Sequence, residues 1–245
     1  MTWKPPTAHR LYGVNDTTWP PEKMHRLGPF MVRRGGGGGQ RVSSASLWQD
    51  QFTPTDIDAA EQAMEGMGQP LLFMIRDNDR ALDKALEARG YFIKDPVTLF
   101  AGPSAQLAKH DPKGLAVIDA SEPIAVMAEI WETGGIDAGR LDVIRRATGP
   151  KACFLGRADD QPAGVAYVAC DKDIAMMHAL EILPNARRKG LALQMMGAMG
   201  AWASCNGAHT FSLVVLTQND AACGLYRRLG MVKAGQYHYR KKEVT

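Results

Sequence analysis

The chain has 245 residues, 45% hydrophobic and 22% charged, the balance of an ordinary globular protein and not of a disordered or fibrous one. A net charge of +3 provides no general electrostatic pull toward nucleic acid or a membrane surface. The cysteines (Cys153, Cys170, Cys205, Cys223) lack CxxC pairing and metal-ligand spacing, and no apolar run nears the roughly 20 residues that cross a bilayer.

In chain order, residues 1–110 read as a first, smaller α/β unit. A helix or loop near residues 7–12 leads into the proline-rich stretch 18–22, and residues 28–33 and 41–47 read as paired strands. Between them stand five consecutive glycines, Gly35 to Gly39, flanked by Arg33, Arg34 and Arg41. A flexible turn between antiparallel strands is the simplest use of that run. A phosphate cradle or an RGG-like RNA contact is the functional alternative, although RNA-binding segments repeat the motif and this run occurs once. Residues 55–67 fit a helix capped by Thr55, 71–75 a short buried strand, and 78–89 an amphipathic helix stopped by Gly90. Residues 91–100 continue as a strand interrupted by Pro96, and the prolines and glycines of 102–114 mark a linker.

The second unit, 115–245, opens with a strand at 116–118 and helices at 122–132 and 138–147, the latter stopped by Gly149-Pro150. Strands follow at 152–157, 163–170 and 174–183. A long helix, 191–205, ends at Asn206-Gly207. A β-branched strand at 210–216, a helix at 220–229 and a final strand at 231–241 complete the chain. The order β-α-α-β-β-β-α-β-α-β predicts an α/β (α+β) fold, a mixed central sheet flanked by helices.

This unit is organised around HALEILPNARRKGLALQMM, residues 178–196. A strand ends at Pro184, a basic turn follows through Arg187-Arg188-Lys189-Gly190, and a helix starts at Leu191. That sequence of elements leaves unpaired N–H groups and the positive end of the helix dipole in one place, a site for a phosphate. Gly190 and the small Ala192 let a ligand approach the backbone closely. The run lacks both the GxxxxGK of a P-loop and the GxGxxG of a dinucleotide fold.

What remains, Arg-x-x-Gly-x-Ala from Arg187 to Ala192, resembles the acyl-CoA signature of the GNAT (Gcn5-related) N-acetyltransferases. Downstream, Asn219-Asp220-Ala221 through Leu225-Tyr226 to Gly230-Met231 is similar to that family's closing pattern, with Met231 replacing its final aromatic. The resemblance covers roughly residues 115–240. It implies a GNAT fold over the second unit. The first unit carries an echo, Asn78-Asp79-Arg80-Ala81 through Gly90-Tyr91, but Leu86 falls where Tyr226 stands and no Arg-x-x-Gly-x-Ala turn precedes it. It reads as a degenerate GNAT-like half that binds no CoA.

The resemblance implies transfer of an acetyl group from acetyl-CoA to a primary amine by direct attack in a ternary complex, without a metal. It assigns the pantetheine arm and acyl carbonyl to backbone N–H groups of Leu180 and Ile182. The pyrophosphate falls to those of Arg188, Lys189, Gly190, Leu191 and Ala192, with charge from Arg187 and Lys189, and Asn219 joins the CoA-binding set. Tyr226 falls where the family places the tyrosine that protonates the leaving thiolate; packing against the helix face is its alternative. His178 is the expected base and Glu181 its rival, since strict alternation puts them on opposite faces unless a bulge intervenes. A core histidine satisfied by backbone is the alternative for His178. Trp131, Glu132, Asp137, Arg140, Tyr237 and Tyr239 are candidates for the acceptor wall. A non-catalytic CoA-binding sensor or interaction module of the same fold is the alternative function. The expected partner is a small-molecule or peptide amine, with no nucleic acid or membrane; monomer and homodimer both remain open. The opening MTWKPPTAHR has no apolar signal-peptide core, so the expected location is cytoplasmic.

Overall fold

In the computed structural model, which describes residues 3–112 and 116–243, the apolar runs of both units pair into one eight-stranded sheet. The first unit contributes α1 (Ala8–Thr18), β1 (Lys23–Leu27), β2 (Phe30–Arg34), α2 (Gln40–Ser43), β3 (Ser46–Leu47), α3 (Pro54–Gly66), β4 (Leu71–Arg76), α4 (Arg80–Ala88), β5 (Phe92–Pro103) and α5 (Ser104–Leu107). The second contributes β6 (Val117–Ala120), α6 (Ala125–Thr133), α7 (Ala138–Arg146), β7 (Lys151–Ala158), β8 (Gln161–Asp171), β9 (Ile174–Ile182), α8 (Leu191–Cys205), β10 (Thr210–Leu216), α9 (Asp220–Arg228) and β11 (Val232–Lys242). The large sheet runs β4-β11-β5-β10-β9-β8-β7-β6, and β1-β2-β3 form a small sheet beside it. A parallel bridge between Ala45 and Phe73 links the two.

The centre of the large sheet is an exchange. β11 lies between β4 and β5, and β5 lies between β11 and β10, so each β-α-β unit inserts its last strand into the other. The registers repeat: Thr210 faces Pro103 and Leu216 faces Val97, while Lys242 faces Leu71 and Tyr237 faces Arg76. Between the exchanged strands, Lys241 faces Phe92 and Val232 faces Ala101. The sequence echo is thus a two-fold arrangement in space. The exchange gives Leu99, Phe100 and Ala101 neighbours on both sides, and all three are buried. On one face, α1, α6 and α7 bury Leu11, Val14, Trp131 and Ile144; on the other, α3, α4, α8 and α9 enclose Phe73, Leu86, Met199 and Phe211.

Several local expectations change. Residues 41–47 are not one strand: a helical turn, Gln40–Ser43, starts from Gly39 at φ +90°, and only Ser46–Leu47 pair with β2. The cap of α3 is Thr53, not Thr55, in a reciprocal box with Asp56 behind Pro54. The strand β1 was not expected, because four of its five residues are exposed and it has no apolar alternation. Residues 104–110 of the expected linker are helical and packed on α8 at Gly197 and Gly200; residues 113–115 lie outside the described residues.

Candidate active site

The site begins where two parallel strands part. β9 and β10 pair only from Ile174–Thr210 to Met177–Leu213, and beyond that pair a gap opens. Here β9 carries a bulge: its register with β8 shifts between His178, opposite Tyr167, and Glu181, opposite Val165. Ala179 takes φ +55°, an unfavourable conformation for a residue with a side chain, and the Trp131 indole N–H holds its carbonyl at 2.7 Å. The Leu183 N–H donates to Ala163 on the β8 side. By alternation, the N–H groups of Leu180 and Ile182 point away from β8, toward the gap.

The basic turn closes one end of that gap. Arg188 and Gly190 both have positive φ, +64° and +86°, which folds the chain tightly into the first turn of α8. Gly190 is the N-cap of α8; among the described residues no side chain caps the helix, and no acidic residue sits in its first turn. The leading N–H groups, Leu191 and Ala192 among them, therefore face outward beside the positive dipole end. Arg187 folds back, its Nε donating to the Ile182 carbonyl at 2.8 Å and its Nη2 pairing with Glu181 at 2.9 Å. Lys189 reaches Asp159 at 3.3 Å. Among the described residues, the Arg188 side chain has no such partner. The corresponding helix of the first unit, α3, is the opposite case, because its N-terminus is filled by Thr53 and the Asp56 carboxylate. The Thr53 hydrogen bonds hold that carboxyl below its usual range, so the negative charge a phosphate would supply is already present.

Tyr226 lies on α9 with its ring against Phe100, 5.8 Å between centroids, in the core cluster that also holds Leu213 of β10. Burial pushes its phenol above the ordinary value, so it stays protonated at neutral pH. Its hydroxyl has no hydrogen-bond partner among the described residues. Asn219 serves as the N-cap of α9, accepting from Ala222 N–H at 3.1 Å.

The bulge changes the geometry of the two candidate bases. Cross-strand partners share a face, and Tyr167 and Val165 belong to the same core cluster, so His178 and Glu181 lie on one face of the sheet. His178 nonetheless does not suit the role of base. Arg41 donates to its Nδ1 at 2.8 Å, which makes that nitrogen the acceptor. The ring then donates from Nε2 to Thr18 Oγ1 at 2.8 Å, and Thr18 passes its own proton to the Val14 carbonyl at 2.7 Å. Burial, and the Arg41 charge after it, hold the imidazole well below its ordinary pKa of 6.5. No lone pair remains for a substrate proton, and the ring is satisfied by side chains and not by backbone. Glu181 keeps partial exposure at 21% of its side chain and pairs with Arg187.

A pH dependence of stability follows. In the unfolded chain the ring titrates near 6.5, so below that pH the unfolded state binds the extra proton and the folded state does not. Stability attributable to His178 is present above pH 6.5 and falls as pH drops below it, by at most ~1.4 kcal/mol per pH unit. Thermal unfolding from pH 7.5 to 5.0 is expected to show a steeper decline in the wild type than in His178→Gln. Parallel curves would refute the assignment.

On the α1 face the gap widens into a cleft of about 300 Å³. Its walls include His178 and Ala179 of β9, Val214 of β10, Tyr237 and Tyr239 of β11, and Arg140 of α7. Of the residues expected for the acceptor wall, Arg140 and the two tyrosines line this cleft. Glu132 and Asp137 do not line the cleft; Asp137 caps α7, and Trp131 is fully buried behind the bulge. The first unit supplies walls the sequence reading did not place there: Trp19, Gly38, Gly39, Gln40, Arg41 and Asp95. The arginine-flanked glycine run was their one visible signal.

A sequence profile of the acetyltransferase (GNAT) family matches residues 120–231. The Bacillus subtilis (strain 168) protein named uncharacterized N-acetyltransferase YobR is 23% identical over 235 residues, 92% of this chain and 94% of that protein. Among solved structures, a GCN5-related N-acetyltransferase from Kribbella flavida aligns with a TM-score of 0.70 at 19% identity, covering 97% of this chain and 96% of its own. A tandem GNAT protein from the clavulanic acid biosynthesis pathway aligns at 0.62 and 12% identity, covering 94% and 86%. The structural likenesses carry the fold, and the profile coincides with the segment holding the bulge, the uncapped turn and Tyr226. Residues 120–231 of this chain thus match the acetyltransferase (GNAT) family in sequence profile, and the chain matches it in fold.

Proposed function

We propose that the protein transfers an acetyl group from acetyl-CoA to a primary amine within a ternary complex. The observation that carries this reading is the uncapped, acid-free N-terminus of α8, opening onto the gap between β9 and β10. Such a turn fits a pyrophosphate: N–H groups from Arg188 to Ala192 receive it, and Arg188 adds charge. The N–H groups of Leu180 and Ile182 take the pantetheine arm and the thioester carbonyl, where they stabilise the developing oxyanion. The amine enters through the cleft on the α1 face and attacks that carbonyl carbon. As the carbon–sulfur bond breaks, the CoA thiolate takes its proton from the Tyr226 hydroxyl. Glu181, in place of His178, receives the amine's proton through water.

Acetyl-CoA titrated by calorimetry, followed by a free-thiol assay over an amine panel, tests the reading. Tyr226→Phe is expected to slow thiol release by on the order of a hundred-fold with little change in acetyl-CoA affinity. Glu181→Gln is expected to lower the rate at neutral pH and to recover as pH rises and more amine is neutral. Binding without thiol release from any amine would remove the catalytic assignment.

A further inference from the structure

We propose that the acceptor carries a carboxylate besides its reactive amine, and that Arg41 and Arg140 bind that carboxylate in the cleft. The proposal rests on the acetyl-transfer reading and names its substrate class: amines of the amino-acid type.

The charge of the cleft is unbalanced. Two guanidinium groups line it against one carboxylate, Asp95. Asp95 is occupied by the Gln40 amide N–H at 2.8 Å. Among the described residues, neither Arg41 nor Arg140 has a carboxylate within ion-pair distance, although both are half-buried. Partly buried cations without counter-charge are costly, and an anionic ligand removes that cost.

The two guanidinium forks are held by their other nitrogens. Arg41 uses one nitrogen, Nη1, for both Asn15 Oδ1 at 3.3 Å and His178 Nδ1 at 2.8 Å, with its guanidinium 5.6 Å from the Trp19 ring centre. Among the described residues, Nε and Nη2 have no hydrogen-bond partner. A neutral His178 is therefore a positioning residue: it orients this arginine. Arg140 spends Nη1 on the Gly135 carbonyl. Its Nε and Nη2 lie 3.2 and 3.4 Å from where a Cβ at Gly39 would stand. Any other residue at 39 would crowd that fork, so the glycine run, read from sequence as a turn, keeps an anion receptor open. Two forks with free N–H pairs match the planar oxygens of a carboxylate.

Because the Asp95 carboxylate can only accept, Gln40 Nε2 must donate to it, and Gln40 Oε1 is the atom left over. That oxygen is buried without a partner among the described residues, an acceptor for a substrate N–H. A cleft of about 300 Å³ with aromatic walls suits a molecule of amino-acid size.

The test compares matched pairs that differ only in the carboxylate: phenylalanine with phenethylamine, tyrosine with tyramine, lysine with cadaverine. Phosphoethanolamine against β-alanine serves as the phosphate arm. In the thiol-release assay the carboxylated member is expected to have a kcat/KM roughly ten- to a hundred-fold higher. In Arg140→Gln the gap should collapse through KM, with kcat and acetyl-CoA affinity retained. Arg41→Gln, checked for folding by thermal melting, is the second variant. Calorimetry of the N-acetylated amino acids in the presence of CoA reads the same preference without turnover. Equal or better turnover of the plain amines, or a gap that survives both variants, overturns the proposal. A phosphate preference overturns the carboxylate assignment. Failure of acetyl-CoA to bind at all would instead sink the underlying acetyl-transfer reading, and this proposal with it.

Discussion

Gly190→Glu is expected to abolish acetyl-CoA binding while leaving the fold in place. At Gly190 the chain sits at φ +86°, and nothing lies within 4 Å of where a Cβ would stand. The new side chain therefore enters open space, and the folding cost is confined to backbone strain of roughly 1–2 kcal/mol. A carboxylate beside the positive end of α8 recovers part of that cost. The same carboxylate takes the place of the pyrophosphate and repels it, and the glutamate stem blocks the close approach that glycine permits. A loss of at least roughly a hundred-fold in affinity, about 3 kcal/mol, should appear by calorimetry with the melting curve little changed. Gly190→Ala introduces the strain without the charge and should fall between. Wild-type affinity in the glutamate variant would mean that the phosphates bind elsewhere.

Gly197→Val is expected to produce the largest loss of stability. A Cβ at Gly197 would stand 2.1 Å from the carbonyl carbon of His110, 2.2 Å from its oxygen and 2.4 Å from Asp111 N, all backbone atoms. One turn along, a Cβ at Gly200 would meet Leu107 Cβ at 2.6 Å. Two glycines within a 15-residue helix weaken it by about 1 kcal/mol each, and the close docking of residues 104–110 is what makes them worthwhile. Valine forces that segment off α8 or bends the helix, at a cost of about 3 kcal/mol or more. In a chain of 245 residues this lowers the melting temperature by roughly 6–12 °C. A shift below about 2 °C would show that the segment moves aside freely and is not part of the core.

Those two glycines also divide what could be read from the chain alone. Gly190 was legible because its neighbours in sequence are its neighbours in space: a strand end, three cations and a helix start already define a basic turn open at a helix N-terminus. The Asn219–Met231 run, the β-branched strand 210–216 and the order of elements were legible for the same reason, since period, cap and turn chemistry act over a few residues. Gly197 gave no sign of its role, because its partners lie in an expected linker more than eighty positions earlier.

The site's chemistry follows the same division. The bulge at Ala179, which puts Glu181 on the His178 face, is held by an indole 48 residues away. Strict alternation, the only rule available within the strand, separated the two. His178 looked like a base because an isolated imidazole titrates near neutrality; Thr18 and Arg41, 160 and 137 positions away, remove both lone pair and proton from use. The exchange of β5 and β11 brings Asp95 beside Tyr237 and Tyr239 and, with the folded-back glycine run, makes the first unit a wall of the second unit's cleft. Local sequence determined the turn proposed for the acyl-CoA phosphate, because that turn is built from consecutive backbone N–H groups. Only the tertiary structure decided which side chains surround the cleft, because they converge from strands, helices and a loop that are distant in the chain.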